Sequence, residues 1–308
     1  MTSSPDQHDA VDATDVFGTH RDLLFGVAYR VLGRVVDAED VVQDAWLRWR
    51  EVDNAEILDP RAYLVTVTTR LALDRLRSAQ HRRETYVGPW LPEPILTSPD
   101  VADSVALTDS VSIAMLVVLE TLSPLERAVF VLREAFAFSY AEIGRVLDRG
   151  EEAVRQLAHR ARRHVQDRKP RYDADRATQR RVTESFLAAC LSGNLTDLME
   201  LLAPDVTLHA DGGGMAKAPR RLILGADKVG RFLTGIGGTP PPAARAFLGL
   251  VNGRLGIVIT SEGSPYVVIS LDVAEGRIAT VRLLANPEKL SAVGDIARTG
   301  IPIDMGPG

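Results

Sequence analysis

Residues 139–164 constrain the fold of this chain more than any other stretch, because they predict two short helices joined by a tight turn. Ser139 and Glu142 have the spacing of a capping box at the start of the first helix. The second helix, from Glu151 to Arg163, has apolar residues at i, i+3, i+4 and i+7. Two short helices with a basic second helix are typical of a helix-turn-helix, which lays its second helix in the DNA major groove. On this pattern alone, a solvated helical hairpin is an equally good interpretation.

The composition is that of an ordinary folded protein with room for several domains. The 308 residues are 45% hydrophobic and 25% charged, which predicts two or three domains with buried cores. The polar, acidic N-terminus does not resemble a signal peptide, and no apolar run is long enough to span a membrane. Cys190 is the single cysteine, which excludes an intrachain disulfide, and its apolar neighbours predict a core position rather than a redox sensor. We therefore expect a cytoplasmic protein with no membrane partner.

Charge is segregated along the chain. The net charge of −5 by itself argues against a nucleic-acid partner, but its distribution is more informative. Residues 1–59 carry thirteen acidic and five basic side chains, whereas residues 60–170 carry fourteen acidic and sixteen basic ones. An acidic segment followed by basic helices suggests two different macromolecular partners.

Helix signals fill the first half of the chain apart from one proline-rich interruption. Residues 16–84 predict helices, with Asp59 as an N-cap and Pro60 at the first helical position. Residues 86–106 hold four prolines, no basic residue and little periodicity, which predicts a linker. Its segment Trp90–Pro94 is too apolar for a plain spacer, so we expect it to dock on another surface.

From residue 175 the pattern changes from helices to strands. Helices are expected at 176–192, 194–202 and 226–235, and strands at 206–209, 244–251, 255–261, 266–274 and 277–284. The dipeptides between the last four strands are typical of β-hairpin turns: Asn252-Gly253, Glu262-Gly263 and Glu275-Gly276. Helices followed by a meander suggest an α+β cone or half-barrel.

These patterns predict an order of segments along the chain. The expected limits are a disordered tail at 1–15, helices at 16–84, a linker at 85–106, helices at 107–169, an α+β domain at 175–290 and a tail at 291–308.

Three motifs in the first 170 residues resemble bacterial sigma factors of the extracytoplasmic-function (ECF) class. Residues 37–49 are similar to the helix of the second sigma region that binds core RNA polymerase. Residues 59–77 resemble the helix that reads and melts the promoter −10 element. Residues 122–147, with the helix that follows, resemble the fourth sigma region, which reads the −35 element. The resemblance covers both conserved domains of that family.

The resemblance implies a role for each charged surface. The helix face expected to meet a basic surface of core polymerase consists of Asp37, Glu39, Asp40, Gln43 and Asp44. The residues expected to contact −10 DNA are Tyr63, Thr66, Thr69, Arg70, Arg75, Arg77, Arg82 and Arg83. For the −35 element, the expected base readers are Arg155, Gln156 and His159, and the expected phosphate contacts are Arg160, Arg162 and Arg163.

The sequence departs from the family pattern at a few of these positions. Arg70 stands where the family usually has asparagine, and Tyr63 where it usually has tryptophan, so we expect an unusual −10 preference. In the turn between the last two helices, Asp148 and Gly150 replace the common glycine and serine. A glycine N-cap costs a helix only roughly a few tenths of a kcal/mol relative to serine, so the helix should form.

The C-terminal part resembles the SnoaL-like, NTF2-type domain carried by one group of ECF sigma factors. The resemblance rests on a linker motif (Trp90, Leu91, Pro92, Glu93 and Pro94), a glycine motif (Asp211, Gly212, Gly213 and Gly214) and a C-terminal motif (Asn286, Pro287, Glu288, Lys289 and Leu290). The group usually has lysine after the glycine motif; here Met215 takes that place and Lys217 follows two residues later. The resemblance implies that the extension docks on the linker and tunes activity, so that no dedicated anti-sigma factor is required.

The expected protein is multidomain: two all-α sigma domains, the second a helix-turn-helix, followed by an α+β SnoaL/NTF2-like cone. We expect a transcription initiation factor that binds core RNA polymerase and promoter DNA, with no catalytic residue, cofactor or metal. A small-molecule ligand in the cone stays open. Two alternatives also stay open: a stand-alone helix-turn-helix regulator with a ligand-binding domain, and a SnoaL-like enzyme tethered to DNA. The enzyme would present His209 and Asp211 to an apolar pocket.

Overall fold

The structure is a computed structural model that describes residues 6–52, 57–83, 85–97, 112–168 and 175–303, without the side chains of residues 6–12 and 79–83. The chain divides into two compact units. The first consists of Met1–Arg82 and Val118–Arg168, and the second of Arg83–Val117 and Lys169–Gly308. Within the described ranges, no helix has the length and apolar character needed to cross a membrane.

The first unit is built from helices around one shared core. Its elements are α1 (Asp6–Leu32), α2 (Val35–Glu51), α3 (Pro60–Arg83), α5 (Pro124–Phe130), a π-helical turn (Val131–Ala135), α6 (Tyr140–Leu147) and α7 (Glu151–Arg168), while α4 (Ile113–Leu119) begins in the second unit. Leu24 of α1, Trp49 of α2 and Leu64 of α3 belong to the same buried cluster as Val129 and Ile143. The first three helices therefore share an interior with the helix-turn-helix.

The local helix signals of this unit are confirmed. The Asp59 carboxylate accepts a backbone N–H at 2.9 Å, and Pro60 is the first residue of α3. Ser139 and Glu142 form a complete capping box at the start of α6. Asp148 ends α6 in the left-handed region with φ 52°, which makes the tight turn before α7.

The prediction of a disordered tail at 1–15 is wrong from residue 6 onward. Helix α1 begins at Asp6. The indole N–H of Trp49 donates to the Ala13 carbonyl at 2.9 Å, which ties this early turn to α2. The Trp49 side chain binds a backbone carbonyl here, so this contact does not depend on the side chains of the segment. The sequence pattern therefore did not indicate the helix.

The second unit contains the expected helices followed by strands. Its elements are α8 (Arg176–Ser192), α9 (Leu195–Leu201), β1 (Leu202–Asp211), β2 (Ile223–Leu224), α10 (Ala226–Gly237), β3 (Arg245–Val251), β4 (Arg254–Ser261), β5 (Ser264–Ala274), β6 (Arg277–Leu284), two 3-10 turns (Pro287–Lys289 and Ser291–Val293), α11 (Ile296–Thr299) and β7 (Ile301–Ile303). The predicted α+β architecture after two helical regions is confirmed.

The strands form one seven-stranded sheet in the order β2-β1-β6-β5-β4-β3-β7. Strands β1 and β6 pair in parallel, and the β3–β6 meander is antiparallel. Asn252 and Gly253 both have positive φ, as both residues of each of the other two predicted turns do. Two successive positive φ values are the mark of the type I′ turn, so the hairpin prediction is confirmed.

The alternation of side chains along the strands gives the sheet two covered faces. On one face, Leu208, Ile269 and Leu283 pack with Phe186 of α8 and Leu233 of α10. We call this the helix face.

The opposite face, which we call the linker face, is covered by the linker and by α4. Val268 and Leu284 pack there with Leu91 of the linker and Ile113 of α4. The segment expected to be a linker is thus part of the second unit's core. The predicted restart of helix near residue 107 lies outside the described residues.

The prediction of a tail at 291–308 is wrong for residues 291–303. Val293 and Ile296 are fully buried in the cluster on the linker face. Strand β7 then pairs with β3, with Ile301 opposite Leu248. A helix and strand of three or four residues each are too short for periodicity to reveal, so only the tertiary contacts identify them.

Replacing Ile296 with alanine should destabilise the second unit by about 2–4 kcal/mol, because it opens a cavity in a fully buried position. Ile301→Ala is the matched control, since Ile301 is 51% exposed and its loss should change stability little. Thermal unfolding of both variants followed by circular dichroism measures the difference. Equal melting temperatures would contradict the packing described for residues 291–303.

Candidate functional site

The predicted polymerase-binding face of α2 is partly occupied by contacts within the chain. The Arg75 guanidinium lies 3.0 Å from the Asp37 carboxylate and 2.5 Å from that of Asp40. Asp37 is 6% exposed. The burial of Asp37 contradicts its assignment to an open polymerase-binding face, because it is paired with Arg75 between α2 and α3. The assignment of Arg75 to DNA stays a prediction.

The remaining part of this face is open to solvent. Gln43 and Asp44 are exposed, and Glu39 pairs with Arg21 across the surface at 2.6 Å. Two apolar side chains missed by the sequence reasoning accompany them, since Val36 and Leu47 are each 47% exposed. Together these side chains give the face both apolar and acidic groups that are open to a partner. The sequence could have revealed them, because Val36 and Leu47 lie seven residues before and four residues after Gln43, which is the spacing of one helix face.

Helix α3 buries part of the surface predicted to face −10 DNA. Thr69 is fully buried, which contradicts its assignment to that surface. Its position follows from the stripe Val65, Thr69, Ala72 and Leu76, whose helical spacing turns one face inward. The hydroxyl of Thr66 donates to the Ala62 carbonyl at 2.7 Å.

Two other predicted −10 residues are in contact with the protein itself. The Tyr63 ring lies 5.8 Å from the Trp49 ring, and the Nε of Arg70 donates to the Val146 carbonyl at 3.0 Å. Arg77 is exposed and pairs with Asp74 at 3.1 Å. The side chains of Arg82 and Arg83 lie outside the described residues.

Arginines connect α1–α3 to the segment from α5 to α6 at three places in the first unit. Besides the bond from Arg70, the Arg61 guanidinium lies 4.5 Å from the centre of the Phe138 ring. The third is Arg127, which is 1% exposed, donates to the Arg30 carbonyl at 2.9 Å and forms an ion pair with Glu120. Burial lowers the pKa of Arg127 to about 9. The first unit is therefore a closed arrangement in which α3 contacts α6 and the residues just before it.

The predicted −35 residues are exposed on α7, which their role requires. All six side chains are open to solvent: Arg155, Gln156, His159, Arg160, Arg162 and Arg163. Arg155 pairs with Glu151 at 2.5 Å, and both residues are about half exposed, so this pair is weak and easily exchanged for a phosphate.

The three regulatory motifs come together around one buried ion pair in the second unit. The Lys289 ammonium lies 2.7 Å from the Asp211 carboxylate, and the two side chains are 2% and 0% exposed. The same ammonium donates to the Leu91 carbonyl at 2.7 Å, and the Leu91 N–H donates to Asp211 at 2.8 Å. The Trp90 ring lies 4.4 Å from the Lys289 nitrogen, a cation–π contact.

Tyr86, which the sequence reasoning missed, completes this network. Its hydroxyl donates to Asp211 at 2.5 Å and accepts from the Asn286 amide at 2.8 Å. We call the five residues Tyr86, Leu91, Asp211, Asn286 and Lys289 the linker clamp. The sequence offered one sign of this role: Tyr86 is an aromatic residue at the start of the proline-rich segment.

The glycine motif is explained by the closeness of the C-terminal motif. Gly213 has φ 60°, and a Cβ added there would lie 2.3 Å from the Asn286 amide nitrogen. Its N–H donates to the Asp211 carboxylate at 3.1 Å. Only glycine satisfies both the conformation and the close approach.

Other motif residues differ in their exposure. Pro92, Glu93, Pro94 and Leu290 are buried, whereas Gly214, Pro287 and Glu288 are exposed. The predicted docking of Trp90–Pro94 thus has its partner in the C-terminal domain itself.

His209 and Asp211 do not line the apolar cavity of the cone, which contradicts their presentation to such a pocket. Ala210 of β1 lines the cavity, which therefore lies on the helix face. Because side chains alternate along a strand, His209 and Asp211 lie on the opposite, linker face. His209 pairs in register with Arg282 of β6, which lies 2.6 Å from Asp272 in a buried ion pair. Burial, with the added repulsion of Arg282 and a partial offset from Asp272, lowers the pKa of His209 to about 4.

Comparison with known proteins agrees with this arrangement. The family model for Sigma-70 region 2 matches residues 16–82, and that for Sigma-70 region 4 matches residues 112–165. Together with the closed helical unit and the exposed basic helix, these matches define a sigma factor. A stand-alone regulator has no need for region 2, so that alternative is not favoured.

Similar proteins cover nearly the whole chain. The ECF RNA polymerase sigma factor SigJ of Mycobacterium tuberculosis is 41% identical, over 89% of this chain and 92% of that protein. The probable ECF RNA polymerase sigma factor SigI of the same species is 34% identical, over 92% of this chain and 96% of that protein. The crystal structure of SigJ superposes with a TM-score of 0.71 and 37% identity, covering 91% of this chain and 98% of that one. This chain belongs to the ECF sigma factors.

The lowered pKa of His209 predicts that the protein loses stability as the pH falls. The unfolded chain binds a proton at this histidine below pH 6.5, whereas the folded protein keeps it neutral down to about pH 4. The free energy of unfolding should therefore fall as the pH drops from 6.5 to 4, by up to about 3 kcal/mol from this residue. Urea unfolding at pH 7, 5.5 and 4.5 should show a shallower pH dependence for His209→Gln. The same pH dependence in both proteins would contradict the burial of this imidazole.

Proposed function

We propose that the C-terminal domain of this sigma factor restrains its promoter-binding regions by holding the linker between them. The linker clamp carries this proposal: a buried Asp211–Lys289 pair is completed by groups of the linker. The linker connects α3 to the fourth region, so holding it limits how far those regions can separate. Within the first unit, Arg70 is bonded to Val146, and promoter binding requires that this closed arrangement open.

Core polymerase contact is assigned to the open part of α2. Gln43, Asp44 and Leu47 are exposed on adjacent turns and combine acidic, amide and apolar groups. Asp40 is a poor test of this contact, because its replacement also removes a partner of Arg75. Promoter contact is assigned to the exposed face of α7 and, after opening, to the basic residues of α3.

Reversing the charge at Asp44 should slow association with core polymerase by several-fold at low salt, because complementary charge mainly sets the encounter rate. The expected difference shrinks as ionic strength rises. Surface plasmon resonance with immobilised core polymerase compares Asp44→Lys with Glu200→Lys, an exposed reversal in the C-terminal domain. Equal association rates for the two variants would count against α2 as the polymerase surface.

Loosening the linker clamp should raise promoter-specific transcription by several-fold. Lys289→Met leaves the buried Asp211 carboxylate and the Leu91 carbonyl without their ammonium partner, and breaking a buried pair in this way costs about 3–5 kcal/mol. In vitro transcription with core polymerase, from the DNA upstream of the protein's own gene, measures the output. Lys228→Met, an exposed lysine outside the clamp, is the matched control.

The outcome of this experiment is readable in either direction. Circular dichroism first establishes that Lys289→Met is folded, and Asp211→Asn provides a second way to weaken the same pair. Unchanged or reduced transcription in both clamp variants would contradict restraint by the linker. Output from the control should match that of the unaltered protein.

We also propose that the C-terminal domain acts by binding rather than by catalysis. The observation in favour is that the imidazole of His209 and the carboxylate of Asp211 face away from the cavity, and that Asp211 is committed to the linker clamp.

A further inference from the structure

The cone of the second unit encloses an apolar cavity of about 250 Å³ on the helix face of the sheet. Its floor includes Phe186, Leu233, Ile269 and Leu283, which are each no more than 6% exposed. An apolar cavity of roughly 150 Å³ in an engineered protein stays dry and accepts benzene. On that scale this cavity accommodates about ten carbon atoms.

The floor offers no charge to a ligand. Cys190 also lines the cavity, and burial raises the pKa of its thiol to about 12, so the sulfur stays protonated and behaves as an apolar group. The body of any ligand that fills the floor must therefore be a hydrocarbon, either aliphatic or aromatic.

The mouth of the cavity is polar and carries positive charge. Lys217 and Tyr266 lie there, with Thr239, and all three are exposed. Among the described residues that line the cavity there is no carboxylate, and within the same part of the chain no ion pair is formed by Lys217. A lysine and a phenol beside an apolar floor suit a carboxylate head group, which accepts hydrogen bonds from both.

The cavity and the linker clamp share a wall. Ala216, Lys217, Ala218 and Pro219 line the cavity and follow the glycine motif after one residue, Met215. The end of this segment also approaches the linker, since a Cβ on Gly88 would lie 3.9 Å from the Pro219 carbonyl oxygen.

Two further lining residues are chain neighbours of clamp residues. Ala210 precedes Asp211, and Ala285 precedes Asn286. The Ala285 N–H donates to the Asp211 carbonyl at 2.8 Å, so a displacement of this wall reaches the clamp through one hydrogen bond.

We propose that this cavity binds an apolar monocarboxylic acid of about ten carbons, with its chain or ring on the floor and its carboxylate at Lys217 and Tyr266, and that its occupancy loosens the linker clamp. The second part rests on the proposed function, because it treats the clamp as the restraint on transcription. A ligand of this class reaches the site through the mouth and displaces the segment from Ala216 to Pro219.

Isothermal titration calorimetry of the full chain tests the site without reference to transcription. The probes are decanoate and 2-naphthoate, which separate a linear from a flat body, with decanol and decylamine as head-group controls. At least one of the two acids should bind with a stoichiometry of one and more tightly than decanol. Decylamine should bind least, because its ammonium meets Lys217.

Two variants locate the site. Lys217→Met keeps the apolar stem and should weaken binding of the acid by about tenfold while leaving decanol unchanged, since one charge-assisted hydrogen bond is lost. Ile236→Trp, at a position 43% exposed at the mouth, should obstruct entry and weaken all probes. Lys228→Met, on the same helix but outside this cavity, is the control and should bind like the unaltered protein.

The results separate failure of the site from failure of the proposed function. No binding of either acid, or equal acid binding in Lys217→Met and the unaltered protein, overturns the site assignment whatever the clamp variants do in transcription. If the acid binds as expected, it should raise transcription from the unaltered protein and not from Ile236→Trp. Binding without that rise, when Lys289→Met does raise transcription, overturns the coupling alone.

Discussion

The buried pair of Asp211 and Lys289 is the interaction on which the second unit depends. Two charges removed from water are costly unless each is fully bonded, and neither partner here is satisfied by the other alone. Tyr86 and the backbone of Leu91 supply the missing bonds. The C-terminal domain therefore reaches its complete hydrogen bonding only with the linker docked, and the linker is in physical terms part of that domain.

Because of this dependence, the linker belongs to the C-terminal domain, although its composition suggests a spacer between domains. A proline-rich segment between two helical regions has the composition of a spacer, yet Leu91 and Glu93 are buried as deeply as core residues. The segment then forms one isolated β-bridge with β3, in which Leu96 pairs with Val251, and the Thr97 N–H donates to the Leu250 carbonyl. Residues 85–97, the described part of the linker, are therefore held on the C-terminal domain rather than free in solvent.

Sequence reasoning succeeded where the signal is local. Ser139 with Glu142 makes its capping box, and each hairpin turn such as Asn252-Gly253 has the two positive φ values that its residues favour. These features depend on neighbours within four positions, so one sequence is enough to identify them. The three regulatory motifs could also be predicted as a group, through the resemblance to a family.

The errors concern which side of a strand or helix a side chain lies on, because contacts distant in sequence decide this. The strand around His209 was correctly predicted, but which side chain meets the cavity depends on the register between β1 and β6, where a bulge intervenes between Leu202 and Thr207. A shift of one residue exchanges the two faces of a strand. Asp37 and Thr69 are likewise on the predicted helices. The burial of Asp37 follows from how α2 packs against α3, whereas the burial of Thr69 could be predicted from the helical spacing of its buried stripe.

In the proposed mechanism, the inward-facing charges of the first unit exchange their partners when the unit opens. Arg75 is paired with Asp37 and Asp40, and Arg70 with the Val146 carbonyl, so groups that suit polymerase or DNA already hold partners inside the protein. Opening exchanges these contacts for intermolecular contacts of the same chemical type. The free-energy difference between the closed and the bound state is therefore small, because similar contacts are lost and gained. A restraint or a ligand need supply only a few kcal/mol of differential free energy to shift such an equilibrium. In the proposed mechanism the linker clamp supplies this difference, because breaking a buried ion pair costs about 3–5 kcal/mol.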